Sequence, residues 1–232
     1  MQKVSIVIPV FNEAKTLKKI YDKVRAIDLS PLLKEIILVD DHSSDETPDI
    51  IKRLGEDEGT KTAFHKKNRG KGAALRTGFE QATGDIILVQ DADLEYDPAD
   101  YPQLLAPILK GKADIVYGSR LLGGREHRVL FFWHYMGNKF LTLLCNIASN
   151  LNLTDMETCY KVFTKEVLSQ IHLTSDRFGF EPEFTVKAAR KGFRFYEVPI
   201  TYDGRNYAEG KKITWKDGVA AIYIIFKSRL FH

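Results

Sequence analysis

The stretch Ile86-Ile-Leu-Val-Gln-Asp-Ala-Asp-Leu-Glu95 decides the fold. Its first residues are mostly aliphatic, which predicts a buried β-strand, and acidic residues follow where that strand runs out. Ligands of open α/β sheets bind just beyond the carboxyl ends of the strands, so Asp91, Asp93 and Glu95 stand where a ligand would bind. Carboxylates on a short turn suit Mg²⁺ or Mn²⁺, which can in turn hold a diphosphate. The alternative is a solvated turn, because aspartate is common in turns.

Strand and helix patterns alternate on both sides of this stretch. β-branched and aliphatic runs predict further strands at residues 4–10, 36–39, 60–64, 114–117 and 195–201. Helical spacing predicts helices at residues 14–27, 48–54, 71–82 and 102–109. Strands that alternate with helices indicate an α/β protein with a mostly parallel sheet and right-handed crossovers.

Composition restricts the class of protein. The 232 residues, 44% hydrophobic and 28% charged, suit one globular domain over residues 1–232. A net charge of +3 is too small to indicate a nucleic-acid-binding protein, which would need a clustered basic stripe. Cys145 and Cys159 have no partners at metal-ligand spacing, which favours structural thiols in a reducing compartment. No signal-peptide pattern precedes the first strand, so we expect a cytoplasmic protein.

The second half contains two apolar segments. Residues 130–151 are too often interrupted by polar side chains to span a membrane, and they predict an amphipathic helix. The aromatic residues 131–133 suit a bilayer surface, although a core helix explains most of this segment. The apolar run 219–226 precedes Lys227 and Arg229, as in helices that lie on anionic membranes. A contact within a homo-oligomer explains this second surface almost equally well.

Three predicted strands end in acids, namely Glu13, Asp41, and Asp91 with Asp93. In a parallel sheet these ends lie along one edge, so the acids converge on one crevice. A group of carboxylates repels itself unless a cation or hydrogen-bond donors offset its charge. A metal-bound nucleotide supplies both, and three acidic strand ends favour this function over simple caps.

Basic residues flank the same predicted edge. The loop at residues 65–72 carries glycines and precedes a helix, where backbone N–H groups favour anions, although it lacks the spacing of a P-loop. A solvated basic loop is the alternative. Arg120 follows another strand, and Arg205, Lys211 and Lys212 follow the predicted strand at 195–201. Such cations suggest binding of a diphosphate and of a second phosphate.

With these motifs, the chain resembles family 2 glycosyltransferases over nearly its whole length, most closely the polyprenyl-phosphate (dolichol-phosphate mannosyltransferase-like) branch. The motifs are residues 7–13 (Val-Ile-Pro-Val-Phe-Asn-Glu), 39–45 (Val-Asp-Asp-His-Ser-Ser-Asp), 84–85, 91–95, 118–120, and 202–205 with 209–212. The first four occur in many such transferases, and the last two are more specific to the branch. The resemblance implies an A-type glycosyltransferase fold, with a Rossmann-like, mostly parallel central sheet flanked by helices. Residues 1–120 would then bind a nucleotide sugar, and residues 121–232 would bind the acceptor and supply amphipathic helices.

The resemblance also implies roles for individual residues. Those that would hold the nucleoside are Pro9, Phe11, Glu13, Val39 and Asp41. Asp91 and Ala92 would contact the ribose and diphosphate, and the metal ligands would be Asp91, Asp93 and Glu95. Those that would face phosphates of donor and acceptor are Arg120, Arg205 and Lys211, and the catalytic residues would be Asp93, Arg120 and Arg205.

The implied reaction is metal-dependent transfer of a sugar, with inversion, from a UDP- or GDP-sugar to a polyprenyl (dolichyl or undecaprenyl) phosphate. The enzyme would work on the cytoplasmic face of a membrane as a peripheral protein, since the chain lacks the C-terminal spans of many members. Mannosyl members often carry Gln at the position of Glu95, which leaves the nucleotide and sugar open. They often carry Ser at that of Gly210, which leaves the assignment of Arg205 to Lys211 open. A phosphate acceptor needs no general base because it is already anionic, with a second pKa of about 6. The second half shows no clear general base, and Asp155 and Glu157 are the acids there that could act as one.

Three alternatives remain at this stage. A glycosyltransferase acting on a soluble saccharide or protein would need such a base. A sugar nucleotidyltransferase would carry a glycine-rich loop after the first strand, where this chain has Pro9-Val-Phe-Asn12. A non-enzymatic nucleotide-binding protein is the alternative from a different class.

Overall fold

The computed structural model describes residues 2–124, 128–129, 131–205 and 215–230. The strands are β1 (Lys3–Val10), β2 (Leu33–Asp40), β3 (Thr60–Phe64), β4 (Ile86–Val89), β5 (Ile115–Ser119), β6 (Lys161–Thr164) and β7 (Phe195–Pro199). The helices are α1 (Leu17–Ala26), α2 (Thr47–Leu54), α3 (Lys71–Gln81), α4 (Tyr101–Leu109), α5 (Phe132–Ser149), α6 (Lys165–Gln170), α7 (Phe180–Arg190) and α8 (Trp215–Leu230). A single 3₁₀ turn at Pro98–Asp100 precedes α4.

The seven strands form one sheet in the order β3-β2-β1-β4-β6-β5-β7. β1 pairs in parallel with β2 on one side and with β4 on the other, as the alternating pattern predicts. β6 runs antiparallel between β4 and β5, and the sequence did not predict this strand. The order places the carboxyl ends of β2, β1 and β4 side by side, so the loops that carry the predicted acids share one edge.

The central strands are buried on both faces. All four residues of β4 are buried, and helices cover the sheet as expected for parallel strands. Helix α3 packs directly on β1 and β2, because Gly78 lies so close to Val7 that an added methyl group would overlap it. Cys145 and Cys159 are both buried and form no disulfide.

The helices of the second half complete the fold. Helices α6 and α7 were not predicted, and α7 is buried along most of its length. Helix α5 packs against α7 and α8, and α8 packs against α7. None of the described helices combines the length and the apolar character that crossing a bilayer requires.

A buried carboxylate at the amino end of the sheet ties three strands together. Glu35 on β2 is 2% exposed and accepts hydrogen bonds from the Ser5 hydroxyl and the Thr83 backbone N–H. The ammonium groups of Lys3 and Lys61 lie 2.8 and 3.0 Å from its Oε2. Burial opposes ionisation of Glu35, but these partners outweigh it and hold its pKa well below the usual range.

Glu35→Gln is expected to lower the free energy of unfolding at pH 7 by about 3 kcal/mol, because it removes one side of a buried ion-paired group. The pKa of Glu35 is lower in the folded state than its value of about 4.3 in the unfolded chain, so the carboxylate stabilises fully above that pH. This stabilisation is lost as the pH falls further. Urea unfolding measured between pH 7 and pH 2 should therefore show that the difference in free energy of unfolding between wild type and variant becomes smaller as the pH falls. Glu56→Gln, at an exposed site, gives the baseline, and a gap that stays constant down to pH 2 would contradict the assignment.

Candidate active site

The carboxyl ends of β1, β2 and β4 open into a cavity of about 1420 Å³. Most of the residues predicted for the site line it, namely Pro9, Phe11, Glu13, Asp41, Asp91, Ala92, Asp93, Glu95, Arg120 and Arg205. Val39 is the exception, because its side chain is fully buried in the core beside α3. Lys211 and its neighbours lie outside the described residues.

Arg205 stands at the centre of the acidic side of the cavity. Its Nη2 donates to Asp93 Oδ2 at 2.6 Å, and its Nη1 and Nε lie 3.3 Å from carboxylate oxygens of Glu13 and Glu95. Its backbone N–H also donates to Glu95, at 2.9 Å. One guanidinium therefore joins acids that follow β1 and β4 to the segment after β7.

One guanidinium does not offset this much negative charge. Burial, followed by the charges of Asp91 and Glu95, raises the pKa of Asp93 to about 7, although Arg205 opposes the rise. A site of this kind has capacity for a further cation or for hydrogen-bond donors.

Asp91 forms an ion pair with a different cation, Lys71. Lys71, at the start of α3, lies 2.8 Å from Asp91 Oδ1 and 3.2 Å from Glu181 Oε1 on α7. Burial opposes the charge on Lys71, but the two acids outweigh it and raise the pKa of the ammonium well above its usual value. The sequence reasoning missed both Lys71 and Glu181 as site residues. The available signal was Gly70-Lys71-Gly72 at a helix start, which was treated as part of a basic loop.

Asp41 holds the loop at residues 65–70 in place. Its two oxygens accept hydrogen bonds from the backbone N–H groups of Arg69 (2.9 Å) and Gly70 (2.6 Å), and His65 Nδ1 lies 2.7 Å from Oδ1. The next N–H groups, of residues 72 and 73, donate to carbonyls of residues 177 and 176. These four N–H groups therefore donate within the protein.

Arg120 is fixed by Asp155. Nε and Nη2 of Arg120 each donate to an oxygen of Asp155 at 2.7 Å, and the guanidinium lies 5.2 Å from the centre of the Tyr202 ring. Asp155 is fully buried, and although burial opposes ionisation, Arg120 keeps its pKa below the usual value. Asp155 thus positions Arg120 and is unsuited to accept a proton. Burial, followed by the charge of Glu181, raises the pKa of Glu157, the other candidate base, to about 7.

The predicted metal ligands are not arranged as a ready-made chelating site. Among the described residues, no three acidic, histidine or cysteine side chains are grouped so that they could enclose a metal ion. Asp91 is paired with Lys71, while Glu95 accepts from Arg205 and from the Tyr202 hydroxyl at 3.0 Å. Mg²⁺ commonly binds through one or two carboxylates together with water and substrate phosphates. The donor set therefore fits a cation that arrives with a diphosphate, and Asp93 is the residue that would hold it.

A mostly parallel sheet whose carboxyl edge opens into an acidic cavity defines an α/β enzyme that binds its ligand beyond the strand ends. The sequence model described as glycosyl transferase family 2 matches residues 5–171. The chain belongs to glycosyltransferase family 2, as its motifs predict.

Comparisons with known proteins agree with this assignment. Uncharacterized protein MJ1222 of Methanocaldococcus jannaschii is 28% identical over 231 residues, which cover 97% of this chain and 92% of that protein. The dolichol-phosphate mannosyltransferase of Pyrococcus furiosus is 30% identical over 211 residues, covering 90% of this chain. This chain spans only 59% of the length of that second relative.

The fold has been seen in crystal structures. Glucosyl-3-phosphoglycerate synthase from Mycobacterium tuberculosis, in complex with Mn²⁺, UDP and glucosyl-3-phosphoglycerate, matches with a TM-score of 0.74 at 19% identity. The match covers 98% of this chain and 80% of that one. The predicted A-type glycosyltransferase fold is confirmed.

Asp41→Ala is expected to release the loop at residues 65–70, because two backbone N–H groups lose their acceptor, at a cost of about 2 kcal/mol in stability. Limited trypsin digestion should then cleave at Lys66, Lys67 and Arg69 several times faster than in wild type. Asp22→Ala, at an exposed site on α1, is the control for general loss of stability. Equal cleavage of this loop in all three proteins would show that Asp41 does not hold it.

Proposed function

We propose that this chain transfers a sugar from a UDP- or GDP-linked donor to a polyprenyl phosphate, with inversion and with help from Mg²⁺ or Mn²⁺. The observation that carries the proposal is the mixed lining of one cavity. Acids at the strand edge and Arg205 line it, and so do Val129 and the aromatic residues 131–133, which are exposed to solvent. An apolar entrance beside a polar crevice suits an acceptor with a lipid tail and a charged head.

The acids at the strand edge, together with Arg205, suit the nucleotide diphosphate. Pro9 and Phe11 provide an apolar wall for a base, and Glu13 offers carboxylate oxygens to hydroxyl or N–H donors. The metal, bound at Asp93 with the diphosphate, would offset charge that grows on the leaving group. The M. tuberculosis synthase of similar fold, crystallised with Mn²⁺ and UDP, supports this part of the proposal.

The acceptor would be positioned by arginines. The phosphate oxygen attacks the anomeric carbon from the face opposite the diphosphate, and the new C–O bond forms as the bond to the diphosphate breaks. No proton has to be removed, because the phosphate is already ionised. Arg120, which Asp155 holds, and Arg205 would orient the donor diphosphate and the acceptor phosphate and stabilise their charge. The role of Lys211 in this step remains a prediction from the sequence.

The second-half helices present a surface that fits a membrane. Helix α5 exposes Trp133 (81%) and Ile147 (71%), and α8, which packs beside it, exposes Tyr223 (65%) and Leu230 (70%). The C-terminal turn of α8 adds two basic residues, 227 and 229. Apolar side chains beside cations favour an anionic bilayer surface, where aromatic rings are at home. The name of the P. furiosus relative, a dolichol-phosphate mannosyltransferase, supports a lipid phosphate as acceptor.

A soluble acceptor is the second candidate. The M. tuberculosis synthase of similar fold was crystallised with glucosyl-3-phosphoglycerate, which is not a lipid. Glu157, with a pKa raised to about 7 by burial and by Glu181, would suit the base that a hydroxyl acceptor requires.

Asp93→Ala is expected to reduce sugar transfer about a hundredfold, because losing one main electrostatic stabiliser costs about 3 kcal/mol in the transition state. The assay follows a radiolabelled sugar from a panel of UDP- and GDP-sugars into polyprenyl phosphate, at saturating Mn²⁺. Asp22→Ala serves as the control. Near-normal turnover in Asp93→Ala would refute the metal-binding role.

Replacing both Phe132 and Trp133 by serine is expected to weaken binding to vesicles that contain anionic phospholipid at least about tenfold, since each ring loses its buried apolar area. Vesicle flotation measures the bound fraction. Leu109→Ser removes an exposed apolar residue from α4 and should leave binding unchanged. If the wild type ignores vesicles but sedimentation shows a dimer that the double variant dissociates, the surface is a subunit contact instead.

A further inference from the structure

Two carboxylates in the cavity each have a buried oxygen without a hydrogen-bond partner in the part of the chain that the structure describes. These atoms are Oε2 of Glu181 and Oε1 of Glu157. Glu181 is 4% exposed, and both residues line the same cavity as Asp91 and Asp93. A buried acceptor without a donor is costly, so the pair points to a ligand that supplies donors.

The surrounding cations indicate that these donors are neutral. Lys71 is already shared between Asp91 and the other oxygen of Glu181. Lys161 is fully buried, donates to the carbonyls of residues 156 (3.0 Å) and 158 (2.5 Å), and lies close enough to Glu157 and Glu181 to interact with both charges. Acids and ammonium groups thus alternate beneath the cavity. Hydroxyl groups can satisfy the two free oxygens without adding charge.

The position of the pair indicates which ligand brings these hydroxyls. Asp91 and Glu181 are separated by a single ammonium group, that of Lys71. A sugar attached to a diphosphate at Asp91 and Asp93 would therefore lie over the two glutamates. We infer that Glu157 and Glu181 form the subsite for the donor sugar, accepting hydrogen bonds from the hydroxyls of a neutral hexose. This inference rests on the proposed function.

The subsite has a consequence for specificity. A carboxylate on the sugar would face two acids of the same sign, and like charges at close range repel. A hexuronic acid is therefore a poor donor, and a neutral hexose with free hydroxyls is a good one. The nucleotide itself makes no contact with this pair, so its affinity is independent of them.

Calorimetric titration of the full chain with Mn²⁺ present tests the inference with UDP-glucose, UDP-glucuronate and UDP, and with GDP-mannose and GDP. Glu157→Gln and Glu181→Gln are each expected to weaken the preferred neutral nucleotide sugar about tenfold, while the matching nucleotide diphosphate stays within about twofold. If UDP is the nucleotide, both variants should also reduce the ratio of the affinity for UDP-glucose to the affinity for UDP-glucuronate. Glu80→Gln, exposed on α3, is the matched control.

Each result bears on the inference. If both variants leave the ratio of nucleotide-sugar to nucleotide affinity unchanged, the subsite is refuted while the proposed function stands. Loss of turnover at saturating donor, with donor affinity intact, would assign Glu157 to proton transfer and also refute it. A wild-type chain that binds no nucleotide diphosphate would refute the proposed function, and the subsite with it. Should Glu181→Gln unfold because Lys71 loses a partner, Glu157→Gln decides the question.

Discussion

Repulsion among carboxylates at one edge of the sheet is the constraint on which the rest of the site depends. Two like charges 4 Å apart repel by about 4 kcal/mol at the effective dielectric of a protein surface. Glu13, Asp91, Asp93 and Glu95 follow neighbouring strands and share one cavity, so the fold has to bring positive charge to them. Arg205 does this from the segment after β7, and the same guanidinium meets three of the four acids.

The need for these cations explains why both halves of the chain build one site. Lys71 arrives on α3 from the first half, yet it also pairs with Glu181 on α7 from the second. Arg205 crosses in the opposite direction, from beyond β7 to the acids after β1 and β4. Strands β6 and β7 belong to the same sheet as β1 to β5. The two parts that the sequence predicts on either side of residue 120 therefore contribute strands to one sheet, and each part supplies charge that the other needs.

Sequence patterns predicted the strands and the convergence of acids because both follow from local rules. A run of aliphatic residues must be buried, and the ends of parallel strands must share an edge. β6 escaped prediction because it has four residues and begins with Lys161, which is buried with its ammonium group on the nearby carbonyls of residues 156 and 158 and over the distant Tyr117 ring of β5. Lys71 escaped for a similar reason, since a lysine beside a glycine-bearing loop is normally solvated, and it is the acids after β4 and on α7 that pair with it. Partners distant in sequence decide such positions, and no local pattern records them.

The choice of acceptor and the use of the buried glutamates are linked by chemistry. A hydroxyl acceptor requires a base within hydrogen-bond reach of the attacking hydroxyl, and Asp155 is committed to Arg120. Glu157 would then have to take the proton, and an acid that removes a proton cannot also serve as a fixed acceptor for the donor sugar. A phosphate acceptor removes that demand, so both glutamates remain free to hold hydroxyls. With the donor sugar held by these two oxygens, as proposed, a phosphate acceptor is favoured over a hydroxyl acceptor, because only a reaction without a general base leaves both carboxylates available for that role.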